Sequence, residues 1–142
     1  MADRLLRDSY DVASGDYQSA GDASASIKRK LKQLGVDSGI LRRIAVASYE
    51  AELNLIIHSQ GGKLAMEMTP REIILISEDV GPGIADINQA LKEGYSTASE
   101  EARDLGFGAG MGLPNMKRNA DSFRITSQMG EGTTIQMGFH LT

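Results

Sequence analysis

Residues 71–84 read Arg-Glu-Ile-Ile-Leu-Ile-Ser-Glu-Asp-Val-Gly-Pro-Gly-Ile. The apolar run from Ile73 to Ile76 is too short for a buried helix and reads as a strand. Asp79 closes it, and Gly81 and Gly83 follow at once. A carboxylate at a strand end, next to two glycines, puts an acceptor beside backbone that a flat ligand can approach closely. An adenine ring could donate its exocyclic amine to Asp79 while lying against Gly83. The same residues also describe an ordinary turn leaving a strand.

Working outward, 63–69 is a second apolar-rich segment, separated from the first by Thr69-Pro70, and the two predict a hairpin. Upstream, Tyr10 and Val12 alternate with polar residues in a strand over 7–14. A helix over 23–34 follows, stopped by Gly35, and Ser38 is placed to cap a long helix over 39–59 that Gly61-Gly62 ends. Downstream come a short helix at 86–92, a polar stretch at 94–105, a glycine run opening a helix at 113–120, and strands at 122–128 and 133–141 around Gly130-Glu131-Gly132. Strands grouped in hairpins with helices between the groups predict an α+β two-layer sandwich, an open mixed sheet with helices on one face. At 142 residues, 1–142 is the length of one domain.

Composition narrows the function classes. Lys+Arg 15 against Asp+Glu 19 gives a net charge of -4, and only 5% of residues are aromatic, so neither a basic footprint nor a stacking platform for nucleic acid is present. With no Cys, disulfides, thiolate metal sites and a thiol nucleophile are excluded. No apolar run approaches the roughly 20 residues of a membrane span, and the first eight residues lack a signal-peptide core. A cytoplasmic protein without membrane or nucleic-acid partners is expected.

Of 16 glycines, ten lie after residue 80, and Gly106, Gly108, Gly110 and Gly112 end abruptly at a helix start. Successive backbone N–H groups in such a run, with the helix N-terminus behind them, suit a polyphosphate. The spacing fails the dinucleotide fingerprint, and no Gly-Lys is followed by Ser or Thr, so the P-loop is excluded too. On the long helix, Glu50, Asn54 and His58 recur every four residues, about 40° apart around the axis. A carboxylate beside an amide oxygen could activate a hydroxyl and ligate Mg²⁺; the alternative is a solvated polar stripe, which is the better reading for His58. The stretch 28–43 holds six basic residues and one acid, Asp37, and reads as a solvated helix face or a docking patch for an acidic partner.

Glu50-x-x-x-Asn54, Asp79-x-Gly81-x-Gly83, the glycine run to Gly112 and Gly130-x-Gly132-Thr133 occur in an order that resembles the histidine-kinase-like (GHKL, Bergerat-fold) ATPases, over residues from about 45 onward. The small size, and Gly94-Tyr95-Ser96-Thr97 with Gly112-Leu113-Pro114-x-Met116-Lys117-Arg118, are similar to the bacterial anti-sigma-factor and stressosome-type switch serine kinases. The resemblance implies Mg-ATP-dependent phosphorylation of a Ser or Thr on a STAS-domain antagonist, in a partner-switching pathway with a sigma factor or phosphatase. It makes Glu50 the catalytic base, gives Asn54 the Mg²⁺ and Asp79 the adenine amine, lines the base with Gly83 and Thr133, and makes the glycine run the lid. The implied nucleotide-binding set is Asn54, Asp79, Gly81, Gly83, Ile84, Gly106, Gly108, Gly110, Met111, Gly112, Leu113, Lys117 and Thr133. Arg103 and Arg118 are further candidate phosphate contacts. The alternative is an ATP-regulated binding module that sequesters a sigma factor or antagonist. Tyr49 stands where many relatives carry Ser, and Glu52 adds a second acid to the motif.

Overall fold

The computed structural model describes residues 6–81, 91 and 112–141. The helix expected over 86–92, Leu91 apart, lies outside the described residues, as do Gly83, Ile84, Gly94, Arg103, Gly106, Gly108, Gly110, Met111 and the side chain of His58. Five strands, β1 (Leu6–Val12), β2 (Gly62–Met68), β3 (Glu72–Asp79), β4 (Ser122–Gln128) and β5 (Gly132–His140), form an open sheet. Among the described residues three α-helices accompany them: α1 (Asp22–Gln33), α2 (Ser38–His58) and α3 (Gly112–Asn119).

The sheet order is β1-β2-β3-β5-β4, and each of its pairings is antiparallel. The expectation of a mixed sheet is refined at this point. Strands β3 and β4 do point the same way, but β5 inserts between them and makes both contacts antiparallel. Period-2 alternation then sorts the faces. Leu75 lies between Met66 and Met137, and Ile73 between Met68 and Phe139, all on the face the helices cover. The other face carries Ser9, Ala65, Ile76, Gln136 and Arg124 in one row.

The helices present matching apolar stripes. Ile27 and Leu31 of α1, and Ile44, Ala47, Ala51 and Leu55 of α2, are buried in the same core as Leu64, Leu75 and Phe139. The cap of α2 differs from expectation by one residue. Asp37 is the N-cap, its carboxylate accepting from the N–H groups of Gly39 (3.0 Å) and Ile40 (3.4 Å), which leaves Ser38 as the first helical residue. The other end closes as the glycines predict. Ser59 donates its hydroxyl to the Leu55 carbonyl at 2.6 Å, and Gly61 turns the chain at φ +101. Gly62 must be bare, since a Cβ there would sit 2.1 Å from the Glu78 carbonyl oxygen.

Helix α1 starts at Gly21, which has no side chain to cap it. The cap comes from α2. Glu52, only 2% exposed, accepts from the backbone N–H groups of Gly21 (3.0 Å), Ala23 (3.2 Å) and Ser24 (2.9 Å). Three orphan donors of a helix start are thereby satisfied by one carboxylate. The ring of Tyr49 lies over the same turn, 3.6 Å from where a Gly21 Cβ would be. Both residues that depart from the sequence pattern thus serve the α1–α2 joint.

Candidate functional site

Two residues apart on a helix means roughly 200° around its axis, so Glu50 faces away from Glu52. Its side of α2 meets α3, and the two helices run antiparallel along a polar seam. Arg43 donates to the Asn119 carbonyl (3.0 Å), and Asn54 abuts Gly112. At the last rung a Cβ on Gly112 would lie 3.1 Å from Asn54 Oδ1 and 3.2 Å from Glu50 Oε2. The two oxygens therefore converge on bare backbone at the start of α3, as the glycine run ends. Burial raises the Glu50 carboxyl above its ordinary range, and the Asn115 hydrogen bond opposes that shift.

A second group forms where β3 ends. Gln60 and Val80 bond across the α2–β2 connection, Gln60 N–H to the Val80 carbonyl (2.8 Å) and Val80 N–H to the Gly61 carbonyl (3.0 Å). That ties Asp79 to the C-terminal end of the helix bearing Asn54. Buried Gly81 continues from there, and a Cβ on it would meet Ser59 and Gln60 at 3.5 Å. Asp79 Oδ1 accepts from the Thr133 N–H at 2.7 Å. Burial raises the Asp79 carboxyl despite this bond. Gly132 lets the strands close so tightly, because its Cβ would stand 2.2 Å from the Asp79 carbonyl oxygen. The Thr133 hydroxyl is 3.0 Å from Ser127 Oγ on β4, and Asp79, Ser127, Glu131 and Thr133 border an open hollow of about 240 Å³.

The fold brings together Glu50, Asn54 and Gly112 in one group and Asp79 and Thr133 in another. Leu113 packs into the core, and Lys117 stands exposed in the last turn of α3. Two neighbours were not foreseen. Ser127 on β4 bonds Thr133 across the β4–β5 hairpin, and Asn115 on α3 comes from a distant segment to the side of Glu50; neither carries a motif of its own. Among the described residues no group of three or more His, Asp or Glu side chains could hold a metal by itself. Among them, too, no helix is long and apolar enough to cross a membrane. Within the basic stretch, Lys30 is bonded to Asp8 and Arg43 to Asp121, whereas Lys28, Arg29, Lys32 and Arg42 are exposed.

The family model for histidine kinase-, DNA gyrase B- and HSP90-like ATPases matches residues 39–142. The chain is 35% identical over 109 residues to the serine/threonine-protein kinase RsbT of Bacillus subtilis, covering 74% of this chain and 76% of that one. It is 31% identical over 125 residues to an anti-sigma F factor of Clostridium kluyveri, covering 84% of each. An anti-sigma F factor of Caldanaerobacter subterraneus is 34% identical over 100 residues, 66% of each chain.

Proposed function

Because the chain belongs to the family of histidine kinase-, DNA gyrase B- and HSP90-like ATPases, we propose that it is an ATP-dependent serine/threonine protein kinase of the anti-sigma-factor type. Its substrate would be a STAS-domain antagonist protein in a cytoplasmic partner-switching pathway. The observation that carries this reading is the convergence of Glu50 Oε2 and Asn54 Oδ1 on the bare backbone of Gly112. Phosphoryl transfer asks a protein for positioning and charge stabilisation more than for covalent chemistry, and this seam supplies both.

In the proposed step the acceptor hydroxyl oxygen bonds to the γ-phosphorus. The bond from that phosphorus to the β,γ-bridging oxygen breaks, and its electron pair leaves with ADP. The hydroxyl proton passes to the Glu50 carboxylate. A carboxyl raised by burial is a stronger base than a solvated one, which favours this role. Asp79 would accept from the adenine amine, with Thr133 beside the ring. The N–H groups at the start of α3 would face the phosphates. Asn54 would hold Mg²⁺ through its amide oxygen, a hard ligand of the kind that ion takes. The ion, when bound, supplies charge neutralisation on the phosphates. Transfer of labelled γ-phosphate to STAS-domain proteins tests the reading directly. Glu50→Gln should retain ATP binding and lose transfer; an unaffected transfer rate would remove Glu50 from the role of base.

A second reading draws on the anti-sigma F factor relatives, which align over up to 84% of the chain. In it the protein is an ATP-regulated binding module, and nucleotide changes its affinity for a sigma factor or antagonist. Partner affinity measured with ATP, with ADP and without nucleotide separates the two; identical values would eliminate the module.

A further inference from the structure

We propose that the outer face of the α1–α2 pair docks an acidic surface of the protein substrate and so presents its hydroxyl to Glu50. This inference rests on the kinase reading above and adds where, and by what chemistry, the acceptor protein is held.

Charge is segregated along the chain. Of 15 basic and 19 acidic residues, the stretch 28–43 holds six and one, which leaves the remainder strongly acidic. Its one acid, Asp37, serves as the cap of α2. Lys30 is bonded to Asp8 and Arg43 to Asp121, whereas Lys28, Arg29, Lys32 and Arg42 enter no ion pair among the described residues. Two positions along a helix are roughly 200° around its axis. With Lys30 directed to β1, Lys28 and Lys32 therefore stand on the flank of α1 toward α2. Exposed cations without counter-ions, on an otherwise acidic protein, offer an acidic partner a complementary field.

The same face carries apolar surface. Five large apolar side chains are exposed among the described residues, and three of them, Leu34, Val46 and Tyr49, lie on these two helices or at the end of α1. An apolar centre with a charged rim is the make-up of a protein–protein contact. Helix geometry connects this face to the seam. Arg42, Val46 and Glu50 recur every four residues, about 40° apart, so one row runs from the basic end of the face to the base. At about 1.5 Å per residue, Arg42 and Glu50 are roughly 12 Å apart along α2. A partner with carboxylates about that far from its acceptor hydroxyl meets both at once.

The test uses the full chain, [γ-³²P]ATP and a STAS-domain acceptor protein, at low and at high salt, with Lys28→Glu, Arg42→Glu and Arg124→Glu. All three positions are exposed, and Arg124 makes the same change of charge on the other face of the sheet. Lys28→Glu and Arg42→Glu should each raise KM for the acceptor about 5-fold or more, since reversal turns an attraction at the rim into a repulsion. Their kcat and their affinity for a non-hydrolysable ATP analogue should stay within about 2-fold, as should the KM of Arg124→Glu. The wild-type KM should rise with salt, and it should rise less in the two variants. An unchanged KM in either variant, or an equal rise in Arg124→Glu, overturns the docking face and leaves the kinase reading standing. So does wild-type protein that sediments with phosphatidylserine vesicles and loses that binding on Arg42→Glu, which would assign the face to a membrane. Absence of transfer by the wild-type protein would overturn both readings together.

Discussion

Replacing Glu52 by Ala tests whether the second acid of the motif is structural. Its carboxylate serves three backbone N–H groups, of which those of Ala23 and Ser24 are buried and that of Gly21 is partly so. An orphaned buried donor costs about 1–3 kcal/mol, so two of them set a range of about 2–6 kcal/mol. Water entering at Gly21 relieves the third and softens the others, which places the expected loss near 3 kcal/mol. Glu52→Gln keeps one acceptor oxygen and should lose about half as much. Urea denaturation followed by circular dichroism measures both, and at about 3 °C per kcal/mol for a chain of this size the Ala variant should melt roughly 10 °C lower. Hydrogen exchange supplies the local readout, with faster exchange at Ala23 and Ser24. A Glu52→Ala protein within about 1 kcal/mol of wild type, or with unchanged exchange at those two amides, would refute the reasoning.

Three further outcomes are expected. Burial raises the folded-state pKa of Glu50 and Asp79, so each group's contribution to stability is intact below the ordinary carboxyl range near about 4 and is lost as pH rises through the folded value. Glu50→Gln and Asp79→Asn should therefore gain on wild type in urea titrations at pH 7 and not at pH 3; an equal gain at both would exclude the linkage. Gly112→Ala should leave stability within about 1 kcal/mol, since Ala suits a helix better than Gly, yet cut phosphoryl transfer about 10-fold by pushing Glu50 and Asn54 apart a few tenths of an ångström; unchanged transfer would show that the seam can give. Gly132→Ala, with φ +139 and a Cβ 2.2 Å from the Asp79 carbonyl oxygen, should cost about 3 kcal/mol or more; a melting temperature within about 2 °C of wild type would contradict it.

Local signals carried most of the elements into view. Short apolar-rich runs marked β2 and β3, and glycines with positive φ at Gly35 and Gly61 ended α1 and the α2 turn where the sequence placed them. What local signals cannot hold is a partner far along the chain. Glu52 looked like an unexplained acid because its three donors lie 28 to 31 residues earlier. A clue was present all the same: positions 50 and 52 point to opposite sides of one helix, so both could not serve one site. The Asp37 cap was missed for a smaller reason, since Ser38 beside it is as good a capping type. Asn115 and Ser127 had no motif to announce them, because each acts by touching a singled-out residue from another element. The insertion of β5 between β3 and β4 is likewise a long-range choice that strand lengths do not encode.

That insertion has a consequence for how the molecule comes into being. The hydrogen bond from Thr133 to Asp79 joins residues 54 positions apart, across the strand that is synthesised after its own neighbour β4. Until β5 threads into the gap, β3 has an open edge and Asp79 has no fixed orientation. Long-range pairing of this kind slows folding, and in a growing chain the β3 edge stays open until β5 has been made. Nucleotide can stabilise only the finished form, so the proposed purine end of the cleft depends on that late closure of the sheet.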